Sequence, residues 1–253
     1  MFSLDRVMTP AGTAALAAEQ RALRLRRAAD FLREGFAPRV AHLDDVALQD
    51  QTARMLDNAA TRGLENPRDQ FTAMVPELFW GPGWADDDMP AAMMAAAGNW
   101  DQPAPRAQLS RALAGLDIWD RAVRTDLADR HRAASVLHQL YADPRAAAFA
   151  GRDPGTWCAA FAPALWSLMP DPARAGHCAA ARANAARYLP DVRDHALFAC
   201  LGLVLGVGFA ENPLHPRIRA ALAGPAQRAA DEIRVTLGQA VVALWQQITE
   251  ETA

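Results

Sequence analysis

The chain's stock of ligating and catalytic groups is six histidines, three cysteines and 29 acidic side chains. His131 and His138 stand seven residues apart on a helical stretch, a spacing that puts both on one face. With Asp126 and Asp129 just upstream, they have the residue types of half a metal site. The Glu-x-x-His pattern that sets such ligands side by side is missing, so solvated or capping roles fit both histidines better. Asp86, Asp87 and Asp88 offer oxygen ligands to a hard cation, but successive side chains diverge and no EF-hand spacing follows. The same run, with Asp191 and Asp194, supplies the acidic groups that magnesium diphosphate chemistry in an all-α enzyme would need. A proline two residues after the run and the spacing of the second pair argue against that use. His177 beside Cys178 and His195 five before Cys200 fit no ligand spacing, and His195 reads as a core histidine. There is no His-Glu-x-x-His, no Gly-rich phosphate loop after a strand and no Gly-x-Ser-x-Gly elbow. No metal and no cofactor is therefore expected, and the chain reads as non-catalytic.

The elements that would position these groups read almost wholly as helix. Alanine supplies 58 of 253 residues, all 26 basic residues are arginine, and no segment alternates like a half-buried strand. Hydrophobic residues make up 51% and charged residues 22%, the balance of a folded protein and not of a disordered one. The net charge of -3 argues against a general nucleic-acid binder. Helices are predicted near 13–34, 45–63, 67–80, 90–98, 117–141, 156–168, 172–187, 191–205 and 226–249. Capping residues before prolines mark starts at Asn66, Asp143, Asp153, Asp171 and Asn212. Apolar stripes run along Trp119, Val123, Leu127, Ala134, Leu137 and Tyr141, and along Ile233, Leu237, Val241, Leu244 and Ile248. The run from Ala196 to Ala210 is too short to span a bilayer and reads as a buried helix, so no membrane insertion is expected. The first residues lack the basic and apolar regions of a signal peptide, and Cys158, Cys178 and Cys200 form no CxxC pair. A cytoplasmic protein with reduced, buried thiols is expected.

Residues 31–88 lie on 156–213 at an offset of 125 without a gap, and about a dozen of the 58 aligned positions are identical. Phe36-Ala37-Pro38 falls on Phe161-Ala162-Pro163, and Arg68-Asp69 on Arg193-Asp194. Gly81, Gly83 and Trp84 fall on Gly206, Gly208 and Phe209. This predicts an all-α protein of two related helical units from a tandem duplication, divided as 1–100 and 101–253, with Asn99–Arg106 as the linker. Each unit ends a helix in a corner, where Gly83 and Gly208 are expected in the left-handed conformation. An aromatic then packs back, and Asp88 or Asn212, the latter followed by Pro213, caps the next helix.

The corner resembles a group of small helical proteins encoded near bacterial type VI secretion genes, which carry Gly-x-Asp-Phe-Asp-x-Asp-Pro between two helices. Gly206, Phe209, Asn212 and Pro213 match in the second copy, and Gly81, Trp84 and, more loosely, Asp88 in the first. Gly83 or Gly208 stands where the group has its first Asp, and Ala85 or Ala210 where it has its second. The resemblance implies an accessory role in secretion, as effector adaptor, chaperone or immunity protein, and no catalytic residue.

The function expected is thus a cytoplasmic scaffold that binds another protein, a secreted effector or toxin or a secretion component in class, with no nucleic acid involved. The binding residues expected are Arg24 and Arg27 of the arginine-rich N-terminal helix, with Trp80, Trp84, Asp86, Asp87 and Asp88 at the first corner. Trp80, Trp84 and Trp100 serve as anchors if exposed and as packing between the two units if buried. The alternative is an all-α enzyme or small-ligand binder, which a deep pocket of inward-facing carboxylates or histidines would favour.

Overall fold

The computed structural model describes residues 10–98, 105–141, 153–189, 191–223 and 230–250. Their regular structure is thirteen α-helices and two 3-10 turns, with no strand among the described residues. The all-α expectation holds. The chain divides into two compact units, residues 1–74 and 75–253. The expected linker, together with Trp100, lies outside the described residues except at its last two positions.

The first unit holds α1 (Pro10–Gly35), α2 (Ala37–Val40), α3 (Asp45–Thr61) and the beginning of α4 (Pro67–Trp80). Asp44 starts α3 by accepting a hydrogen bond from Ala47 N at 2.8 Å. Leu48, Met55 and Leu56 of α3 are buried, as are Ala28, Ala29 and Leu32 of α1, and the two helices pack together. Phe31 sits edge-on to Phe36 and stacks on Phe71 at 6.1 Å. Arg21 adds a 3.1 Å ion pair to Asp57, which is exposed and contributes little.

The second unit continues through α5 (Asp88–Ala96), α6 (Arg106–Ala128), α7 (Arg130–Tyr141), α8 (Pro154–Phe161) and α9 (Pro163–Leu168). It ends with α10 (Asp171–Ala185), α11 (Val192–Leu205), α12 (Pro216–Leu222) and α13 (Ala230–Glu250). Every side chain of α11 from Ala196 to Leu205 is buried, which explains the apolar run. Helices α7, α8 and α10 pack around it, and Trp119 of α6 donates from its indole to Leu203 O at 2.9 Å.

Two predicted helices are in fact pairs. The stretch 156–168 breaks at Ala162 (φ -135, ψ 68), because Pro163 drives its predecessor out of helical geometry. The stretch 117–141 starts earlier, at Arg106, and breaks at Asp129. Asp129 accepts from Arg132 N at 3.0 Å and so begins a new helix. The break changes the buried face: Ala133, Val136, Leu137 and Leu140 are buried, whereas Ala134 of the expected stripe is exposed.

The expected caps also fare unequally. Asn66 works as predicted, accepting from Arg68 N at 2.9 Å. Asp153 takes the cap position without a side-chain bond, and Asp171 is the first residue inside α10. Asp143 lies outside the described residues. The neater cap is Asp191, which accepts from Arg193 N while Asp194 reaches back to Asp191 N, a reciprocal capping box.

Asp194 also carries the unit's most buried ion pair. Its two oxygens receive Nε and Nη2 of Arg234 at 2.7 Å each, a bidentate pair that ties α13 to the start of α11. The Arg234 side chain is 4% exposed and that of Asp194 0%, so neither charge has water as a substitute partner. Asp194→Ala should therefore cost about 3–5 kcal/mol in chemical denaturation. The double substitution Asp194→Leu with Arg234→Met should cost less than the single one.

Candidate functional site

The first corner is built by glycine. Gly81 ends α4 at φ +84, and Gly83 follows at φ +82, the left-handed region open to glycine. The chain then turns through a 3-10 segment, Trp84–Asp86. Asp87, not Asp88, is the cap of α5, with Oδ1 accepting from Met89 N at 3.0 Å. Its Oδ2 accepts from Val207 N at 3.3 Å and so joins the first corner to the second.

The second corner has the same hydrogen-bond pattern with one change of backbone conformation. Gly206 takes φ +81 and ψ 150, a region essentially reserved for glycine. Gly208 has no positive φ, contrary to expectation, and a β-carbon there would meet only Pro82 O at an ordinary 3.4 Å. The 3-10 turn Val207–Ala210 follows, with Phe209 buried. Asp86 N donates to Gly83 O at 3.0 Å, and Glu211 N to Gly208 O at 3.1 Å. Asp87 N donates to Trp84 O, and Asn212 N to Phe209 O, both at 3.3 Å. Asn212 Oδ1 accepts from Leu214 N at 3.0 Å, as Asp87 does from Met89 N. Asn212 is thus the counterpart of Asp87. It closes a turn and does not cap a helix: Pro213 lies in that turn and α12 begins at Pro216.

The matching breaks where proline intervenes. Val207 offers Asp87 an N–H, but its counterpart at the same offset, Pro82, has none to give Asn212. The Asn212 amide nitrogen is buried without a hydrogen-bond partner, 3.3 Å from where a β-carbon on Gly81 would be.

A buried histidine lies beside this junction. His177 of α10 is 0% exposed, and its Nε2 lies 2.8 Å from Ala199 O of α11. A carbonyl only accepts, so Nε2 carries the proton and Nδ1 is a bare acceptor, buried without a partner. Gly202 makes room for the ring, since a β-carbon there would lie 3.1 Å from Cε1. Burial holds the His177 imidazole below its ordinary value, with the Ala199 carbonyl and the charges of Asp87 and Asp88 opposing the shift. Burial likewise raises the Asp87 carboxyl, opposed by its hydrogen bonds from Met89 and Val207. The Asp88 carboxylate rests where a side chain on Gly176 would be, 1.8 Å from that β-carbon position. The arrangement is sealed and stays neutral at His177, which suits packing and not proton transfer to a substrate.

The other groups with chemical potential are engaged elsewhere. Asp126 is buried, and its oxygens accept from Ala164 N and Leu165 N at 2.9 Å each, capping α9 from α6. His131 and His138 are exposed, and His195, expected in the core, is half-buried. Asp191 and Asp194 are occupied by the capping box and Arg234. No group of three or more His, Cys, Asp or Glu among the described residues could hold a metal ion.

The expected binding residues fall into different settings. Trp80 and Trp84 are 1% and 2% exposed with ring centres 5.9 Å apart, so they pack inside the second unit and offer no surface anchor. Asp86 and Asp88 are exposed, while Asp87 is half-buried and used in the junction. Arg24 reaches Gln70 at 3.4 Å and Arg27 is exposed, both in the first unit. Sequence reasoning named Gly206, His177, Asp126 and Asp194 but not the roles they have here, and it missed Arg234, whose signal is an arginine one turn before Leu237 on an otherwise apolar face. The chain matches no protein-family model, no curated protein and no solved structure.

Two outcomes follow from the junction. Gly206→Ala places a β-carbon 1.8 Å from Trp80 O, so it should cost more than about 2 kcal/mol in urea denaturation, while Gly208→Ala should cost under about 1 kcal/mol. The unfolded His177 takes up a proton near its ordinary 6.5, whereas the folded one takes it up only at lower pH. Stability should therefore fall as pH drops below 6.5, and His177→Gln, which keeps an N–H toward Ala199, should remove that part of the slope in melting curves.

Proposed function

We propose that the protein is a non-catalytic scaffold that binds an acidic surface of another protein along the exposed part of α1. The observation that carries this reading is the environment of Pro10 to Arg27. None of these residues is buried, although they form more than half of a 26-residue helix. Helices in proteins gain most of their stability by packing one face, and this stretch buries none of its residues. Leu16 and Leu23, seven residues apart, are each 42% exposed. Residues 10–27 carry Arg21, Arg24, Arg26 and Arg27 with one acid, Glu19, a net +3 on a chain of net -3, and of these Arg21 is paired with Asp57. Arginine forks suit carboxylates, and such a charge contrast speeds and orients docking.

The resemblance to secretion-linked helical proteins supports a bacterial accessory role in the cytoplasm, as adaptor, chaperone or immunity protein. The matching hydrogen bonds of the two corners, at an offset of 125, support a tandem duplication of residues 31–88 and 156–213. Helix order agrees with it: α2, α3, α4 and a 3-10 turn in one stretch, α9, α10, α11 and a 3-10 turn in the other.

The test is a photo-crosslinking amino acid at Leu23, expressed in a bacterial host beside the neighbouring genes. One acidic protein should be captured. Arg26→Glu with Arg27→Glu should weaken capture at least tenfold with an unchanged melting temperature. Capture that survives the charge reversal refutes the surface. Unaltered secretion and toxin resistance on deletion of the gene refutes the accessory role.

A further inference from the structure

The exposed part of α1 carries a row of side chains at helical spacing. Leu16, Glu19, Gln20, Leu23, Arg26 and Arg27 follow one another at steps of three and four residues, so they share one face. Leu32, fully buried, comes nine residues after Leu23, or two and a half turns, and so points to the other side. That other side is the one packed on α3. Arg21 is bound to Asp57 of α3, and Arg24 reaches Gln70 of α4. Arg26 and Arg27 are exposed and form no ion pair among the described residues. Asp30, which pairs with Arg33 at 3.8 Å, and Glu34 follow on the same face, so the basic zone ends at Arg27.

We propose that the partner's docking segment is itself an amphipathic α-helix, with apolar residues a heptad apart against Leu16 and Leu23 and carboxylates against Arg26 and Arg27. This rests on α1 being the surface for an acidic protein and adds the form of what docks there. Leu16 and Leu23 are roughly 10 Å apart along the axis, seven residues at about 1.5 Å each. A strand repeats a face every ~7 Å and has no side chain at that spacing. A second helix repeats a face every seven residues with the same rise, and matches it. An extended segment would also bury its amides against a helix whose backbone is already bonded within itself, whereas a helix brings its own amides satisfied.

Two other occupants fit the row less well. A second copy laid parallel would set Arg26 and Arg27 against themselves. Laid antiparallel with Leu16 on Leu23, it would set them beside the uncharged Thr13 and Gly12. A membrane surface calls for an unbroken apolar face with charges on its border, and here Glu19 and Gln20 stand between the leucines.

The test uses the full chain and two labelled synthetic peptides of one composition, Leu, Glu, Ala and Gln. One peptide has its leucines a heptad apart on one helical face, with glutamates beside the last. The other has the same residues shuffled so that the leucines spread around the helix. Fluorescence anisotropy should show the patterned peptide binding about tenfold tighter than the shuffled one, and circular dichroism should show it gaining helix on binding. Leu16→Glu with Leu23→Glu should weaken that binding about tenfold, as should Arg26→Glu with Arg27→Glu, each with an unchanged melting temperature. Val46→Glu, at an exposed valine of α3, should leave it unchanged. Equal binding of both peptides, sensitive to the arginines alone, overturns the helix and leaves the acidic-partner reading standing. Binding of neither peptide, or binding that survives loss of the leucines, also overturns it. Leucine-dependent binding to phosphatidylglycerol vesicles in place of the peptide overturns both readings. Self-association in ultracentrifugation that Leu23→Glu abolishes would assign the face to a second copy and overturn the proposal.

Discussion

The carbonyl of Trp80 lies 1.8 Å from where a β-carbon on Gly206 would be. Only a residue without a side chain lets the end of α4 and the end of α11 approach so closely. The approach puts Val207 N within reach of Asp87, and Asp87 in turn starts α5. Nearby on the same helix α11, Gly202 leaves the space that the His177 ring occupies. Helix α11 then serves as the axis of the unit, apolar all round from Ala196 to Leu205 because other helices cover it.

That economy explains where the polar groups go. Asp126, Asp194, Asn212 and His177 are all buried, and each is used to tie one element to another or to close a turn. Buried polar atoms need partners, so a carboxylate that caps a distant helix is satisfied and also fixes the position of that helix. The same use removes it from chemistry. Asp126 illustrates this: in the sequence it has the residue type and position for half a metal site beside two histidines, while the fold turns it onto the amides of Ala164 and Leu165.

What was legible in the sequence is what local physics decides. Asn66 before Pro67 marked the start of α4, and Gly81 marked its end, so 67–80 was read to the residue. The apolar run Ala196–Ala210 gave the buried helix, but only as far as Leu205: Gly206 ends it and Val207–Ala210 form a 3-10 turn. Breaks at Ala162 and Asp129 were hidden because alanine-rich flanks favour helix on both sides, and in one case the cause was a proline whose effect falls on its predecessor. The candidate site was less legible. Trp80 and Trp84 have the composition of binding anchors, but an aromatic beside a glycine corner serves packing equally well, and tertiary contacts decide. Gly206 and Gly208 differ by two positions and by the sign of φ, a distinction no spacing rule carries.

The two corners show how a matched pair of turns accommodates unequal partners. At the offset of 125, Asp87 corresponds to Asn212 and Val207 to Pro82. Asp87 is an acceptor and faces an amide that donates. Asn212 faces a stretch whose proline has no N–H, and there a full carboxylate would be buried with one fewer donor to hold its charge. A neutral amide is the cheaper occupant, since it closes its own turn through Oδ1 and leaves an uncharged NH2 group, not a charge, unpaired. The acid at one corner and the amide at the other thus follow from which backbone each side chain meets. The identity of a single facing residue, valine or proline, decides which of the two corners can carry charge.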